Sequence, residues 1–268
     1  MVLCQDIQTD GDTEKLLVIN LIQDNLKRTN SNKSKILSFF FYKYFGHSIR
    51  RNFYKVNVKG LSELKETIQR SDYQNVPLVF CVNHSNWWDA ALVCWLTDFL
   101  KLNAYCLMEE KQVNEHKFFK RIGAIPIVRE DPRQSIKTLN YAADLIRDSN
   151  KSLWIFPQGE IISNERLPLI FYNGVSYLIE KLKEVILICT HLEYRFTSEQ
   201  RPEIYVNFFD NTFFENTVNI NRKDFSACLA KKFEMEINIF KDLFLCKDLN
   251  DYKTILKGKT SIDKRRAH

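Results

Sequence analysis

A histidine and an aspartate stand five residues apart in the stretch NHSNWWD, at His84 and Asp89, between two apolar runs. In a single helix, an offset of five residues would set the two side chains about 140° apart, beyond contact. If His84 instead ends a strand and Asp89 lies in the first turn of the next helix, the carboxylate can reach the imidazole. The pair then predicts a general base for a hydroxyl proton, with the acid fixing the tautomer of the ring.

A purely structural role for the pair is also open. His84 would then cap a helix, and Asp89 would sit on the exposed first turn, where acidic side chains are favoured. A metal site is not expected, because the remaining histidines have no ligand-like spacing and an HExxH motif is absent. These histidines are His47, His116, His191 and His268.

Apolar runs alternate with segments of helical spacing from Val76 onward. Continuous apolar strands between helices are typical of a mostly parallel central sheet flanked by helices, so we predict an α/β fold. Functional side chains of such sheets gather at the carboxyl ends of the strands. We therefore expect NHSNWWD, VRED and FPQGE, which each follow a strand, to meet at one edge. The predicted strands are 77–83, 103–110, 124–130, 152–159, 184–196 and 202–209, and the predicted helices are 87–100, 114–123, 132–150, 171–183 and 224–244.

The segment before residue 71 shows helical spacing without alternating strands. Helical spacing over 13–27, an aromatic helix over 34–54 and a short polar helix over 61–70 predict an N-terminal helical annex, residues 1–70. Residues 71–268 then form the α/β domain. The apolar run ILSFFFYKYF in the annex is far shorter than the roughly 20 residues that a spanning helix needs.

The net charge of +6 and the 45% hydrophobic content of the 268 residues suit a folded protein with a basic surface. Lysines and arginines crowd around the aromatic run, which indicates either a solvated basic face or an interfacial membrane anchor. Nucleic-acid binding is not expected, since no groove motif combines aromatic and basic residues. The seven cysteines are scattered without a CxxC pair. They indicate a reducing compartment, so we expect a cytoplasmic protein that is peripherally associated with a membrane.

Four ordered segments resemble the glycerolipid acyltransferase family, which includes the lysophosphatidate acyltransferases. NHSNWWD matches the HxxxxD motif of the family, and IGAIPIVRE resembles its second block, with Gly123 and Arg129 aligned. IFPQGEI resembles the third block, usually FPEGTR, and EVILICTHLEY stands where the fourth, apolar block belongs. The order and spacing hold over residues 76–210.

The resemblance implies a reaction. An acyl thioester, on CoA or acyl carrier protein, gives its acyl group to the hydroxyl of a lipid acceptor, so the thioester is a co-substrate and no separate cofactor is expected. His84 would remove the hydroxyl proton and Asp89 would orient His84. The hydroxyl would attack the thioester directly, in keeping with the absence of a GxSxG elbow. The backbone around Gly159 is a candidate for stabilising the oxyanion.

The resemblance also implies a set of substrate-binding residues. Arg129 would bind an acceptor phosphate, the alternative being an exposed arginine at the end of a strand. In the third block Gln158 replaces the usual acid, and Glu160 and Ile161 replace the following threonine and arginine, which leaves open whether the acceptor is phosphorylated or neutral. Arg166 could substitute for the missing arginine or lie on the surface. The remaining predicted contacts are Phe156, Pro157 and Gly159 of the third block, and Asn83 and Asn86, which could instead make local turn hydrogen bonds.

Two other functions use the same residues. The altered third block would suit a catalytically inactive lipid-binding protein on the same fold. A hydrolase, in which water replaces the alcohol, would need the same base.

Overall fold

The computed structural model describes residues 33–70, 75–215 and 220–261. The predicted helix over 13–27 lies outside these residues. The described residues form eight helices and eight strands. The helices are α1 (Lys35–Asn52), α2 (Leu61–Gln69), α3 (Asp89–Phe99), α4 (Glu110–Glu115), α5 (Phe118–Arg121), α6 (Pro132–Ile146), α7 (Gly174–Leu182) and α8 (Arg222–Cys246), and the strands are β1 (Lys55–Lys59), β2 (Leu78–Val82), β3 (Asn103–Glu109), β4 (Ala124–Ile127), β5 (Lys151–Ile155), β6 (Val185–Arg195), β7 (Glu203–Phe214) and β8 (Lys253–Lys257).

The eight strands form one sheet in the order β4-β3-β5-β2-β6-β7-β1-β8. The five strands β4, β3, β5, β2 and β6 pair in parallel, and so do β7 and β1, while β6 with β7 and β1 with β8 are antiparallel. The prediction of a mostly parallel sheet flanked by helices is confirmed. Because β2, β3, β4 and β5 run the same way, their carboxyl ends share one edge of the sheet.

Side chains alternate between the two faces of the sheet along each strand, and they pack into two separate hydrophobic cores. In β2, Val79 and Cys81 pack against α6, α7 and α8, whereas Phe80 and Val82 pack against α1, α2 and α3. All four of these side chains are fully buried. Both faces of the sheet are therefore covered, which explains why β2 is an unbroken apolar run.

Local sequence signals set the ends of the helices that flank the sheet. Pro132 occupies the first turn of α6, where its missing N–H costs nothing, and the side chain of Asp131 caps the exposed amides of Arg133 and Gln134. Helix α8 begins behind Asn221, whose side chain accepts a hydrogen bond from the amide of Asp224. In the described part of the chain, none of the helices combines the length and the apolar character needed to cross a membrane.

The structure differs from the sequence-based prediction in three places. Residues 55–59, inside the predicted helical annex, form β1 of the main sheet, so the expectation of an all-helical segment over 1–70 is wrong there; the division of the chain at residue 70 stays a prediction. The predicted helix over 114–123 is instead two short helices, α4 and α5, separated at His116. Strand β8 lies in a stretch for which no element was predicted, and it extends the sheet beyond β1.

Gly60 makes the turn from β1 into α2. A substitution at this residue therefore tests whether β1 is an integral strand of the sheet. Its φ of +73° lies in the left-handed region, and a Cβ there would be 2.1 Å from the carbonyl oxygen of Phe208 on β7. We expect Gly60→Ala to lower the free energy of unfolding by about 1–3 kcal/mol, because strain and a backbone clash add. Chemical denaturation measures the change, with the exposed Ser62→Ala as the control. Equal stability of the two variants would contradict this placement of β1.

Candidate active site

The join between β2 and α3 brings His84 and Asp89 into contact. Strand β2 ends at Val82 and α3 begins at Asp89, so the loop of residues 83–88 folds the chain back on itself. His84 Nδ1 lies 2.9 Å from Asp89 Oδ2, and the Asp89 side chain is fully buried while that of His84 is 17% exposed. The geometry is the one that allows an acid to orient a base.

Asp89 has further hydrogen-bond partners that fix its orientation. The backbone amides of Ser85 and Asn86 donate to Oδ2, at 2.8 and 2.9 Å, and the Tyr194 hydroxyl donates to Oδ1 at 2.6 Å. Burial, followed by the negative charge of Asp89, raises the pKa of Tyr194 well above its usual value, so the phenol keeps the proton that it donates. In the tautomer that carries its proton on Nδ1, His84 donates to Asp89, and Nε2 is the nitrogen left for a substrate.

Asn83 and Asn86 shape the loop and do not line the cavity described below. Asn83 is fully buried, and its amide exchanges hydrogen bonds with both backbone groups of Leu192 and donates to Asn164 Oδ1. The side-chain oxygen of Asn86 accepts a hydrogen bond from the amide of Trp88. These contacts are the local hydrogen bonds that were the alternative for the two asparagines, and their expected role in substrate binding stays a prediction.

Gln158 also acts on the position of His84. Its side chain is buried, and its oxygen Oε1 accepts a hydrogen bond from the backbone amide of His84. Its nitrogen Nε2 is buried without a partner among the described residues. A glutamate here would bury a charge, whereas glutamine keeps the backbone contact without that charge. Gln158 therefore contacts the His84 loop and does not line the cavity, and its expected contact with substrate stays a prediction.

A cavity of about 760 Å³ opens beside His84 at the carboxyl edge of the sheet. Its volume lies in the range of small-molecule sites. The ring of Phe156 packs against the His84 ring, with centroids 4.5 Å apart, and forms part of the wall. The polar side chains of the wall include His84, Glu109, Gln112, Arg129, Ser135, Glu160, Tyr172, Asn173, Tyr177 and Arg222, and the apolar ones include Leu107, Met108, Ile127, Ile136, Leu139 and Ile155.

The predicted substrate residues divide into two groups. Arg129, Phe156, Pro157, Gly159 and Glu160 line the cavity with His84, as expected for residues at the ends of parallel strands. Arg166 is exposed and lies outside the cavity wall, where the alternative of a surface residue placed it; its expected role as a replacement arginine stays a prediction.

The third block crosses the cavity floor at Gly159. Its φ is +71°, and a Cβ there would lie 3.1 Å from Arg129 Cδ and 3.0 Å from a ring carbon of Tyr172, so glycine is required for both conformation and space. The amide of Gly159 donates to the carbonyl of Phe156. The amides of Glu160 and Ile161 make no hydrogen bond within the described residues, and both residues line the cavity.

Cys106 also lines the cavity, but it is not suited to be a nucleophile. Burial raises the pKa of its thiol well above the usual value, so the thiolate that would attack is not formed. Its Sγ faces the carbonyl oxygen of Leu107 at 3.4 Å. A covalent intermediate on this residue is not favoured.

The sequence missed two residues that complete the site. Tyr194 reaches Asp89 because β6 runs past the end of β2, which pairs with it only as far as Thr190. Glu109 ends β3 and places its carboxylate 3.4 Å from the Arg129 guanidinium. Both residues follow apolar runs at strand ends, so position at the carboxyl edge is the signal that could have found them.

Two comparisons with known proteins bear on this site. The sequence model of the Acyltransferase family matches residues 55–192, about half of the chain. The chain is also 28% identical over 163 residues to the 1-acyl-sn-glycerol-3-phosphate acyltransferase of Streptococcus pneumoniae (strain ATCC BAA-255 / R6). That alignment covers 59% of this chain and 56% of the relative, so the chain spans little more than half the length of that curated protein.

Tyr194→Phe tests the support of the buried carboxylate. Removing the hydroxyl leaves Asp89 Oδ1 without the donor that it has here, and we expect the free energy of unfolding to fall by about 1–3 kcal/mol. Urea denaturation at neutral pH measures this change. Tyr44→Phe, at an exposed tyrosine, is the matched control and should be neutral. A Tyr194→Phe protein as stable as the control would show that the phenol does not hold the acid.

Proposed function

Because the chain belongs to the acyltransferase family, we propose that it transfers a fatty acyl group from a thioester to the hydroxyl of a lipid. The observation that carries the proposal is the contact of His84 with the buried Asp89 at the mouth of a cavity large enough for substrates. The acyl donor that we propose is acyl-CoA or acyl carrier protein, and no further cofactor is required. The relative's name gives it 1-acyl-sn-glycerol 3-phosphate, and the acceptor class proposed for this chain is the broader one of lipids that carry a hydroxyl group, such as a lysophospholipid.

The proposed reaction is a direct attack. Nε2 of His84 takes the proton of the acceptor hydroxyl while the oxygen attacks the thioester carbonyl. The carbonyl oxygen becomes negative, and the amides of Glu160 and Ile161, which line the cavity and have no other acceptor in the described residues, are candidate donors to it. Collapse of the intermediate breaks the carbon–sulfur bond, and the imidazolium returns its proton to the departing thiolate.

Asp89 has a definite task in this scheme. It holds the Nδ1–H tautomer and stabilises the imidazolium that forms when Nε2 takes the proton. The protonated state of Cys106 supports a route without an acyl-enzyme. The substitution of Gln158 for an acid, which raised the alternative of an inactive protein, preserves the hydrogen bond to the His84 backbone. That contact supports a working site over an inactive one.

His84→Ala tests the proposed base. We expect acceptor-dependent release of thiol from acyl-CoA or acyl carrier protein to fall by about 10²–10⁴-fold, because proton removal from the hydroxyl is lost. The assay pairs thiol release with identification of the acylated product by mass. His116→Ala, at an exposed histidine outside the cavity, is the matched control and should keep full activity.

The same assay separates the alternatives. Full turnover by a folded His84→Ala protein would contradict the proposed base. Thiol release with free fatty acid and no acylated lipid would favour a hydrolase. Lipid binding without thiol release in the wild type would favour an inactive binding protein.

We also propose that α1 lies at a membrane surface. Its outward side chains include Ile36, Phe39, Phe40 and Tyr44, which are between 53% and 71% exposed. Lysines and arginines at Lys35, Arg50 and Arg51 are exposed on the same helix. Aromatic rings that enter the headgroup layer beside cations that meet anionic lipid are typical of interfacial helices.

The double variant Phe39→Ser/Phe40→Ser tests this anchor. We expect it to lose most of the binding that the wild type shows to phosphatidylcholine vesicles containing phosphatidylglycerol, because the apolar contact is removed. Sedimentation with vesicles measures the bound fraction. Met235→Ser, at an exposed residue of α8, is the control. If the bound fraction of the wild type depended neither on the content of anionic lipid nor on the salt concentration, the proposed membrane contact through basic and aromatic side chains would be contradicted.

A further inference from the structure

Arg129 is already engaged by a carboxylate inside the cavity. Its guanidinium lies 3.4 Å from Glu109 Oε1, and both side chains are only partly exposed, at 28% and 22%. The arginine packs across Gly159, where a Cβ would lie 3.2 Å from Nη1. Its direction is therefore fixed by the backbone of the third block as well as by Glu109. An anionic head group would have to compete with Glu109 for this cation.

A second cation at this end of the cavity is replaced by an apolar side chain. Ile161 stands where the related third block carries an arginine, and it lines the cavity wall. Arg166, the nearest arginine along the chain, is exposed and outside the wall. Glu160, between Gly159 and Ile161, lines the cavity and makes no ion pair within the described residues.

The positive and negative charges of the side chains on the cavity wall are equal in number. In the described part of the chain they are Arg129, Arg222, Glu109 and Glu160. Arg222 is held by Glu180, with Nε 2.7 Å from the carboxylate, so its charge is also compensated. A phosphate monoester carries a charge of about −1.5 to −2 at neutral pH, and moving it into a cavity without a spare cation costs free energy.

We propose that the acceptor of this site is a lipid alcohol whose head group has no net negative charge, of the monoacylglycerol kind. This inference rests on the proposed acyl transfer and narrows its acceptor. In this assignment Glu109 is a specificity-determining residue. It holds Arg129 in a neutral pair, which can donate hydrogen bonds to hydroxyl groups and accept hydrogen bonds from them. Its negative charge repels an acceptor that carries a phosphate monoester.

The test compares two acceptors that differ only in the phosphate, 1-acylglycerol and 1-acylglycerol 3-phosphate with the same acyl chain. Both are offered in the same neutral detergent micelles, at one ionic strength, with the same acyl thioester. We expect kcat/KM of the wild type to be about tenfold or more higher for 1-acylglycerol, from charge repulsion and the missing counter-cation.

Two variants carry the reciprocal prediction. Glu109→Gln frees Arg129, and Ile161→Arg supplies a second cation, so each should raise kcat/KM for the phosphate acceptor and shrink the ratio. Glu115→Gln, which removes an exposed carboxylate outside the cavity, should leave the ratio unchanged. A wild-type preference for the phosphate acceptor, or a ratio that neither variant moves, overturns this inference alone. Failure of the wild type to acylate any alcohol overturns the proposed function as well.

Discussion

The buried carboxylate of Asp89 is the constraint on which the site depends. It is taken out of water completely, and its two oxygens accept from the His84 ring, two loop amides and the Tyr194 phenol. A buried charge is tolerated only when it is surrounded by such donors. The same donors that make its burial possible also fix the loop, so stability of the loop and orientation of His84 have one physical cause.

The parallel sheet supplies the rest of the site from strands that are distant in sequence. The carboxyl ends of β2, β3, β4 and β5 place His84, Glu109, Arg129 and the third block around one cavity. A longer strand, β6, extends past the end of β2 and brings Tyr194 to the same edge, where its hydroxyl contacts Asp89. Rigid strands anchored in two packed cores hold these side chains, while the loops between them are free to differ in charge. In the acceptor assignment proposed above, Ile161 and Glu109 set the charge of the cavity while the contact of His84 with Asp89 stays the same.

Sequence patterns predicted the parts of this architecture that depend on local repeats. The strands β2 to β7 are apolar runs, and α6 and α8 have clear helical spacing, so they were recognisable. Strand β1, KVNVK, is short and places Asn57 at its centre, and β8, KTILK, is a mostly exposed edge strand, so neither carries a strong pattern. The HxxxxD spacing predicted the contact of His84 with Asp89 because it depends on one turn. The contacts of Tyr194 and Glu109 depend on strand register across the sheet, which a single sequence does not encode visibly.

The tautomer of His84 is the most direct test of the central claim, that Asp89 leaves Nε2 as the free basic nitrogen. Nitrogen-15 NMR of protein labelled at histidine, with His84 assigned by comparison with a His84→Gln variant, reports which ring nitrogen carries the proton. At a pH where the ring is neutral, the account predicts a protonated Nδ1 and an unprotonated Nε2. A proton on Nε2, with Nδ1 bare, would contradict it, because the nitrogen facing the cavity could then not accept a proton from a hydroxyl.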